Sequence, residues 1–337
     1  MSYDDVEIDP LTRLAIRHGT DKWGPHFYTP VYHSLFSHLR EKPVRLLEIG
    51  VGGYGLSSIG GNSLAMWADY FPDGKIVGID IAEKKLELGP RITLRRGSQD
   101  DPAFLQRISG EFGPFDIVID DGSHVPAHVT KSFSTLFPLI ADGGLYVIED
   151  VQTSFWPQWG GSLTDGGATM LLAGSMLHHL NYAEIKIAKP DIQVMELSKW
   201  VRSLRAYHNI IVVEKGDNTE PSNFDYQLNN KHAARAVRII ERELERSPTP
   251  EGFANLINVY VGARDYPKAL ACVDKAMAQW RNHPMILDSA FRAATSAGEL
   301  DRKLDYVRRL AQQEGDNPEV QKMLQRCESE AAARSSR

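Results

Sequence analysis

Residues 120–124 read "DDGSH", directly after the apolar run Phe115, Ile117, Val118 and Ile119. A second acidic pair, Glu149 and Asp150, closes the apolar stretch "GLYVI" at 144–148. Like charges at the ends of two buried strands need a physical reason. Strand residues alternate between the faces of a sheet, so Asp120 and Asp121 point opposite ways. With Asp121 toward the cleft, it meets Glu149 and Asp150 across a neighbouring strand end. Three crowded carboxylates repel and raise one another's pKa. A hard divalent cation removes that cost, and oxygen ligation with open positions favours Mg²⁺. His124 lies three residues past Asp121. Its imidazole titrates near neutrality and is suited to take a proton from a hydroxyl, the more easily where a cation stabilises the oxygen left behind.

A glycine loop supplies the second chemistry. "EIGVGGYG" at 48–55 fits G-x-G-x-x-G through Gly50, Gly52 and Gly55, and it follows a strand. Such glycines let the backbone approach a ligand closely. Two ligands compete, a dinucleotide and S-adenosylmethionine. A dinucleotide loop leads straight into a helix that caps the pyrophosphate, whereas here "GLSSIGGNS" intervenes before a helix that starts near Asn62 or Ser63. Asp80, at the end of the next strand, stands 25 residues past Gly55, against about 20 expected for the nicotinamide fingerprint. Glu48 adds an acid suited to a ligand that carries an ammonium group.

These residues need a scaffold. "VRLLEIG" (44–50), "KIVGIDI" (75–81), "RITLRRG" (91–97), "FDIVIDD" (115–121) and "GLYVIED" (144–150) form a series of strands, with helices near 62–71, 101–109 and 126–138 between them. Alternating strands and helices predict a doubly wound, mostly parallel, Rossmann-like α/β sheet with ligands at its carboxyl edge. The adjacent runs 201–209 and 210–216 leave no room for a crossover and predict an antiparallel pair.

The combination Glu48-x-Gly50-x-Gly52 with Asp80 resembles the first motif of class I methyltransferases and its partner acid, which in that family holds the ribose hydroxyls of S-adenosylmethionine. Asp121-Gly122-Ser123-His124 followed by Glu149-Asp150 resembles the metal-dependent sugar O-methyltransferases of macrolide antibiotic biosynthesis, of the mycinamicin and macrocin types. The resemblance implies Asp121, Glu149 and Asp150 as Mg²⁺ ligands, His124 as general base, and a sugar or glycoside as acceptor. Catechol-type O-methyltransferases are similar in their metal acids but use a lysine where His124 stands. At the end of the third strand, where many methyltransferases place an acid near the adenine, this chain has Ser98 and Gln99. Asp120, pointing the other way from Asp121, is expected near the methionyl part of the cofactor. The segment 17–36 resembles an N-terminal cap of related bacterial enzymes, which makes Thr20, Asp21, Lys22, His26 and Tyr28 site candidates.

The expected organisation is a cap at 1–40, a methyltransferase domain at 41–216, a polar linker at 217–230 and a helical region at 231–337. In that region Phe253, Leu256, Tyr260, Ala269, Val273 and Ala276 fall at tetratricopeptide-like positions, with a degenerate second unit. It reads either as a short helical array or as a surface for a protein partner or homo-oligomer. His178 and His179 read as helix residues. Trp156 and Trp159 either stack on a sugar ring or pack their loop against its own domain, and the stretch 160–167 suits a lid. The net charge of -6 offers no basic field for nucleic acid. Neither a secretory signal nor a membrane span is read, and Cys272 and Cys327 show no disulfide or metal spacing, so the expectation is a cytoplasmic chain. Two rivals stay open: a nicotinamide-dependent oxidoreductase on the same loop, and a non-enzymatic scaffold.

Overall fold

A computed structural model describes residues 8–164, 166–188, 196–222, 228–315 and 317–335. Residues 1–7 of the expected cap, Asp165 of the expected lid, 223–227 of the expected linker, and 316 and 336–337 of the helical region lie outside them. The chain divides into two compact units, one built largely from residues up to Asn218, the other from Thr219 onward.

The first unit holds seven strands, β1 (Arg45–Ile49), β2 (Lys75–Asp80), β3 (Ile92–Arg96), β4 (Ile117–Asp120), β5 (Leu145–Ile148), β6 (Val201–Tyr207) and β7 (Ile210–Lys215). Their order is β3-β2-β1-β4-β5-β7-β6. The five leading strands pair in parallel, and β7 joins β5 and β6 antiparallel. Order reverses between β1 and β4, the switch point at whose carboxyl ends such sheets bind ligands. The sequence-predicted strands and the terminal hairpin are all present.

Seven helices accompany the sheet: α1 (Pro10–His18), α2 (Thr29–Phe36), α3 (Asn62–Tyr70), α4 (Pro102–Phe112), α5 (Pro126–Leu136), α6 (Gly167–His179) and α7 (Tyr182–Ala188). His178 and His179 fall in α6 as read from sequence. Local chemistry sets several helix ends. Asp9 caps α1 by accepting from the Thr12 N–H at 2.9 Å, and Gly19 ends it in the left-handed region. Asp101 caps α4, and Pro102 and Pro126 open α4 and α5 where no donor is needed.

Alternation divides the sheet's residues between two cores. Leu46, Ile76, Ile117, Ile119 and Val147 pack with Leu11, Tyr32, Phe36, Leu64 and Trp67 of α1, α2 and α3. Leu47, Ile49, Val118, Tyr146 and Ile148 pack on the other face with Phe104, Leu105, Phe133 and Met176 of α4, α5 and α6. The N-terminal helices therefore lie on the same face as α3, which brings the chain between α1 and α2 to the strand ends.

The second unit contains α8 (Lys231–Arg246), α9 (Pro250–Gly262), α10 (Tyr266–Gln279), α11 (Pro284–Ala297), α12 (Leu300–Gln313) and α13 (Pro318–Ser335). Phe253, Leu256, Tyr260, Ala269, Val273 and Ala276 are all buried in its own core. Among the described residues no helix is long and apolar enough to cross a membrane.

Candidate functional site

Three strand ends and the N-terminal segment meet around one ammonium group. By alternation Glu48 shares its face with Leu46, Asp121 with Ile119, and Glu149 with Val147, so all three carboxylates face α1, α2 and α3. Lys22, 1% exposed, reaches them from the turn between α1 and α2. Its Nζ donates to Asp121 Oδ2 at 2.8 Å and to Glu149 Oε1 and Oε2 at 2.7 and 2.8 Å. Glu48 Oε1 lies 3.2 Å from Nζ, outside hydrogen-bond geometry, and this buried atom has no hydrogen-bonded partner. Ser63 at the start of α3 donates to Glu48 Oε2 at 3.0 Å, and the Tyr32 hydroxyl donates to Glu149 Oε1.

The electrostatics follow from burial. Burial alone would neutralise Lys22, but Asp121, Glu149 and Glu48 outweigh it and hold its pKa well above the ordinary lysine value. Burial pushes Glu48 up to about 7, against an opposing pull from Lys22. Glu149 is raised well above the usual carboxylate range, by burial first and then by the neighbouring Asp121 charge. The expectation that crowded acids need a cation thus meets a cation the chain itself provides.

Asp150 reaches the same cleft by another route. Alternation would turn it away from Glu149, but its backbone is left-handed, with φ of 52°. Its Oδ1 accepts from the Tyr28 hydroxyl at 2.6 Å and lies 3.7 Å from His26 Nδ1. Burial would raise the Asp150 carboxyl, yet the Tyr28 hydroxyl and the His124 charge outweigh it and lower its pKa. His124 is left-handed too, at φ 56°. Its Nε2 stands 3.7 Å from Asp150 Oδ2 and 4.0 Å from Asp121 Oδ1. Thr153 Oγ1 donates to the His124 carbonyl at 2.9 Å and ties the two strand-end loops together. Non-glycine residues in this region carry backbone strain, and such strain gathers at functional sites.

Asp121, His124 and Asp150 each bring a ligand atom within 4.8 Å of the others. Two carboxylates and an imidazole fit a divalent cation. Of the expected ligands Asp121, Glu149 and Asp150, the first and last lie in this group with His124, and Glu149 accepts from Lys22 and Tyr32.

The glycine loop lies beside these acids. Gly50 has φ of 97°, and a Cβ there would sit 2.1 Å from the Asp121 carbonyl oxygen. The β1 turn therefore passes against the β4 turn only because this residue lacks a side chain. A Cβ on Gly53 would strike the Ile59 carbonyl at 2.1 Å, whereas Gly55 meets nothing within 4 Å, so the third glycine of the motif answers no steric demand here. Asp80 accepts from the Val51 and Ala82 N–H groups at 3.0 and 2.8 Å and holds the loop to the end of β2.

Asp120 lies elsewhere. It is 1% exposed on the opposite face, where it accepts from Gln99 Nε2 at 3.0 Å, from Tyr146 at 2.9 Å and from Ser132. Gln99 Oε1 accepts from the Ser123 N–H at 2.6 Å, and Ser98 Oγ accepts from Asp100 N at 3.1 Å. Asp120 and Gln99, expected against the cofactor, thus form a polar knot that sets the "DGSH" turn. Thr20 is buried beside Lys22, and Asp21 is exposed. Tyr32, Ser63 and Thr153 were not singled out from sequence. Tyr32 had a signal, since it follows Tyr28 by one helical turn and shares its face.

The sheet order and the cleft at its switch point fit a Rossmann-like methyltransferase. The comparisons with known proteins narrow the class. The chain is 46% identical over 214 residues to 8-demethyl-8-(2-methoxy-alpha-L-rhamnosyl)-tetracenomycin-C 3'-O-methyltransferase of Streptomyces olivaceus, covering 62% of this chain and 55% of that one. It is 44% identical over 214 residues to mycinamicin VI 2''-O-methyltransferase of Micromonospora griseorubida, covering 62% and 53%. The solved MycE methyltransferase of the mycinamycin biosynthetic pathway, in complex with Mg and SAH, is similar with a TM-score of 0.60 and 43% identity, over 64% of this chain and 55% of that one. The chain spans about half the length of the relatives it matches. No family model matches it. The resemblance to sugar O-methyltransferases read from the strand-end motifs is borne out.

Proposed function

We propose that this chain is a divalent-metal- and S-adenosylmethionine-dependent O-methyltransferase whose acceptor is a hydroxyl of a sugar on a glycosylated natural product, of the kind made in antibiotic pathways. The observation that carries the reading is the meeting of Asp121, His124 and Asp150 within 4.8 Å at the ends of β4 and β5, beside the Gly50 turn. Asp121 and Asp150 would hold Mg²⁺, with Glu149 joining where Lys22 releases it. Such an ion supplies positive charge beside the acceptor oxygen and eases loss of its proton.

The chain's own residues do the rest. Glu48, whose Oε1 is ion-paired with Lys22 but meets no hydrogen-bond donor in good geometry, and the Gly50 and Gly52 turn would take the methionyl end of the cofactor. Asp80 has lone pairs left for a vicinal diol, Ser98 and Gln99 border the adenine end, and Thr20 and Lys22 close the cleft. His124 Nε2 accepts the acceptor's proton, and Asp121 and Asp150, at 4.0 and 3.7 Å, stabilise the imidazolium that forms. Asp120 acts through Gln99 on the shape of the "DGSH" turn. The helices from 231 onward are read as a tetratricopeptide-like surface for a protein partner or a second copy, and the chain as cytoplasmic.

A second reading, favoured by its place among the three ligand atoms, makes His124 a metal ligand. One variant separates the two. As a base, His124→Ala loses about 10²- to 10⁴-fold in kcat and keeps its Mg²⁺ affinity. As a ligand, it loses Mg²⁺ affinity in titration calorimetry. Full turnover on a glycoside with labelled S-adenosylmethionine in excess chelator would end the metal-dependent reading altogether.

A further inference from the structure

Two short 3-10 turns, Val151–Phe155 and Pro157–Trp159, follow the acid pair and carry exposed aromatic rings. Trp159 is 36% exposed and Trp156 42%. Each indole is more than half covered and keeps part of its surface open to solvent. The Trp159 ring stands 5.9 Å from the His124 ring, tilted by 58° to it. Indole and imidazole are thus in aromatic contact range, with part of the indole left open to solvent.

The turn that carries Trp159 is firmly built. Trp159 N donates to Trp156 O at 2.9 Å, Gly161 N to the same oxygen at 3.0 Å, and Ser162 N to Ser154 O at 2.8 Å. A Cβ on Gly161 would strike the Ser154 carbonyl at 2.3 Å, so the chain doubles back there at its closest possible approach. Thr153, in the same turn, ties it to the His124 carbonyl. The backbone that carries the indole is thus constrained, with little of its own conformational entropy left to lose on binding.

We propose that Trp159 is the wall of the acceptor subsite, on which the apolar C–H face of a pyranose stacks while one ring hydroxyl reaches His124 Nε2. The proposal rests on the methyltransferase reading only for what then happens to that hydroxyl. The dimensions agree. A hydroxyl hydrogen-bonded to Nε2 puts its oxygen about 2.8 Å away and its ring carbon a bond further. Carbon-to-carbon contact with the indole needs about 4 Å. A sugar ring laid on the open part of the indole, beside the imidazole and not between the two rings, would meet both conditions. The selected ligand is a sugar with a continuous apolar face, as in 6-deoxyhexoses, and the tilt sets which hydroxyl meets the imidazole.

The test uses the full chain, Trp159→Ala and Trp159→Phe, each first shown to melt like the parent. Methyl α-L-rhamnopyranoside is the probe, titrated in the presence of S-adenosylmethionine and read by saturation-transfer NMR, so no turnover is needed. The parent binds it, Trp159→Ala weakens it by about tenfold or more, and Trp159→Phe, which keeps an aromatic face, loses only part of that. Parent-like affinity in Trp159→Ala, or no binding to the parent, overturns the proposal. Calorimetry with S-adenosylmethionine on the same samples keeps the two ideas apart. Cofactor binding with a glycoside response indifferent to Trp159 sinks the subsite alone, whereas Trp159-dependent glycoside binding without cofactor binding sinks the methyltransferase reading and leaves the subsite standing.

Discussion

Glu48 is the most exacting test of the electrostatics. It is fully buried, and burial lifts its pKa from 4.5 to about 7 despite the Lys22 charge. A folded-state acid with a raised pKa stabilises the protein below its unfolded value and loses that contribution as pH rises through the folded one. For Glu48 the loss begins near 4.5 and is complete a little above 7. At 1.36 kcal/mol per pH unit, the ionised side chain costs about 3 kcal/mol at pH 8 and about 1 kcal/mol or less at pH 5. Glu48→Gln keeps the shape and removes the titration. Its stability relative to the parent therefore grows with pH, reaching about 3 kcal/mol in its favour at pH 8. Urea denaturation of both proteins at pH 5, 6, 7 and 8, free of cofactor and with chelator present, reads this directly. A difference that stays constant across the series would refute the argument, as would a parent more stable than the variant at pH 8. The same variant is expected to bind S-adenosylmethionine more weakly, because Glu48 Oε1 is the atom proposed to meet the cofactor. A gain in stability coupled to a loss in affinity is the pattern of a site kept charged for its ligand.

Lys22→Met leaves the buried Glu48 and Glu149 and the half-buried Asp121 without their ammonium, a loss of about 3–5 kcal/mol; in thermal melts, added Mg²⁺ should raise the variant's Tm by more than the parent's. Tyr32→Phe removes the hydroxyl that donates to Glu149, and denaturant titration should find a cost of about 1–3 kcal/mol. Gly50→Ala forces a Cβ to within 2.1 Å of the Asp121 carbonyl at a φ of 97°, so its melt should show a loss of at least about 2 kcal/mol together with loss of cofactor binding in calorimetry.

Which residues share a face was legible in the sequence, because strand periodicity is a local rule. It separated Asp121 from Asp120, and the sheet carries that through: Asp121 goes with Glu48 and Glu149, Asp120 with Ser132 and Tyr146. What lay beyond it was set by contacts far apart in the chain. Lys22 and Asp121 are 99 residues apart, and Lys22 and Glu149 are 127 apart. Nothing in the segment 17–36 says that its lysine turns inward, so the cation that balances the acids was read as a metal alone. Asp150 escaped the periodic rule because its left-handed backbone returns its carboxylate to the cleft. Only the structure distinguishes that turn from a continued strand.

The charge balance explains why a lysine and a divalent ion need not be rivals. Three carboxylates around one ammonium leave two negative charges when all are ionised, and the raised pKa values of Glu48 and Glu149 measure how poorly the interior tolerates them. Lys22 alone suffices to fold the site, since it gives Asp121 and Glu149 short hydrogen bonds. With all three acids ionised it does not bring the cluster to neutrality, whereas protonation of Glu48 and Glu149, which their raised pKa values favour as pH falls, does. Asp150, whose pKa is lowered, adds a further charge at the open side, next to His124. On the proposed reading, a divalent ion between Asp121 and Asp150 and a ligand bearing ammonium and sulfonium charges beside Glu48 would each meet this negative potential. The cost of holding these acids together is carried by the unliganded fold and relieved on binding, so ligand affinity and resting stability are tied to the same few side chains.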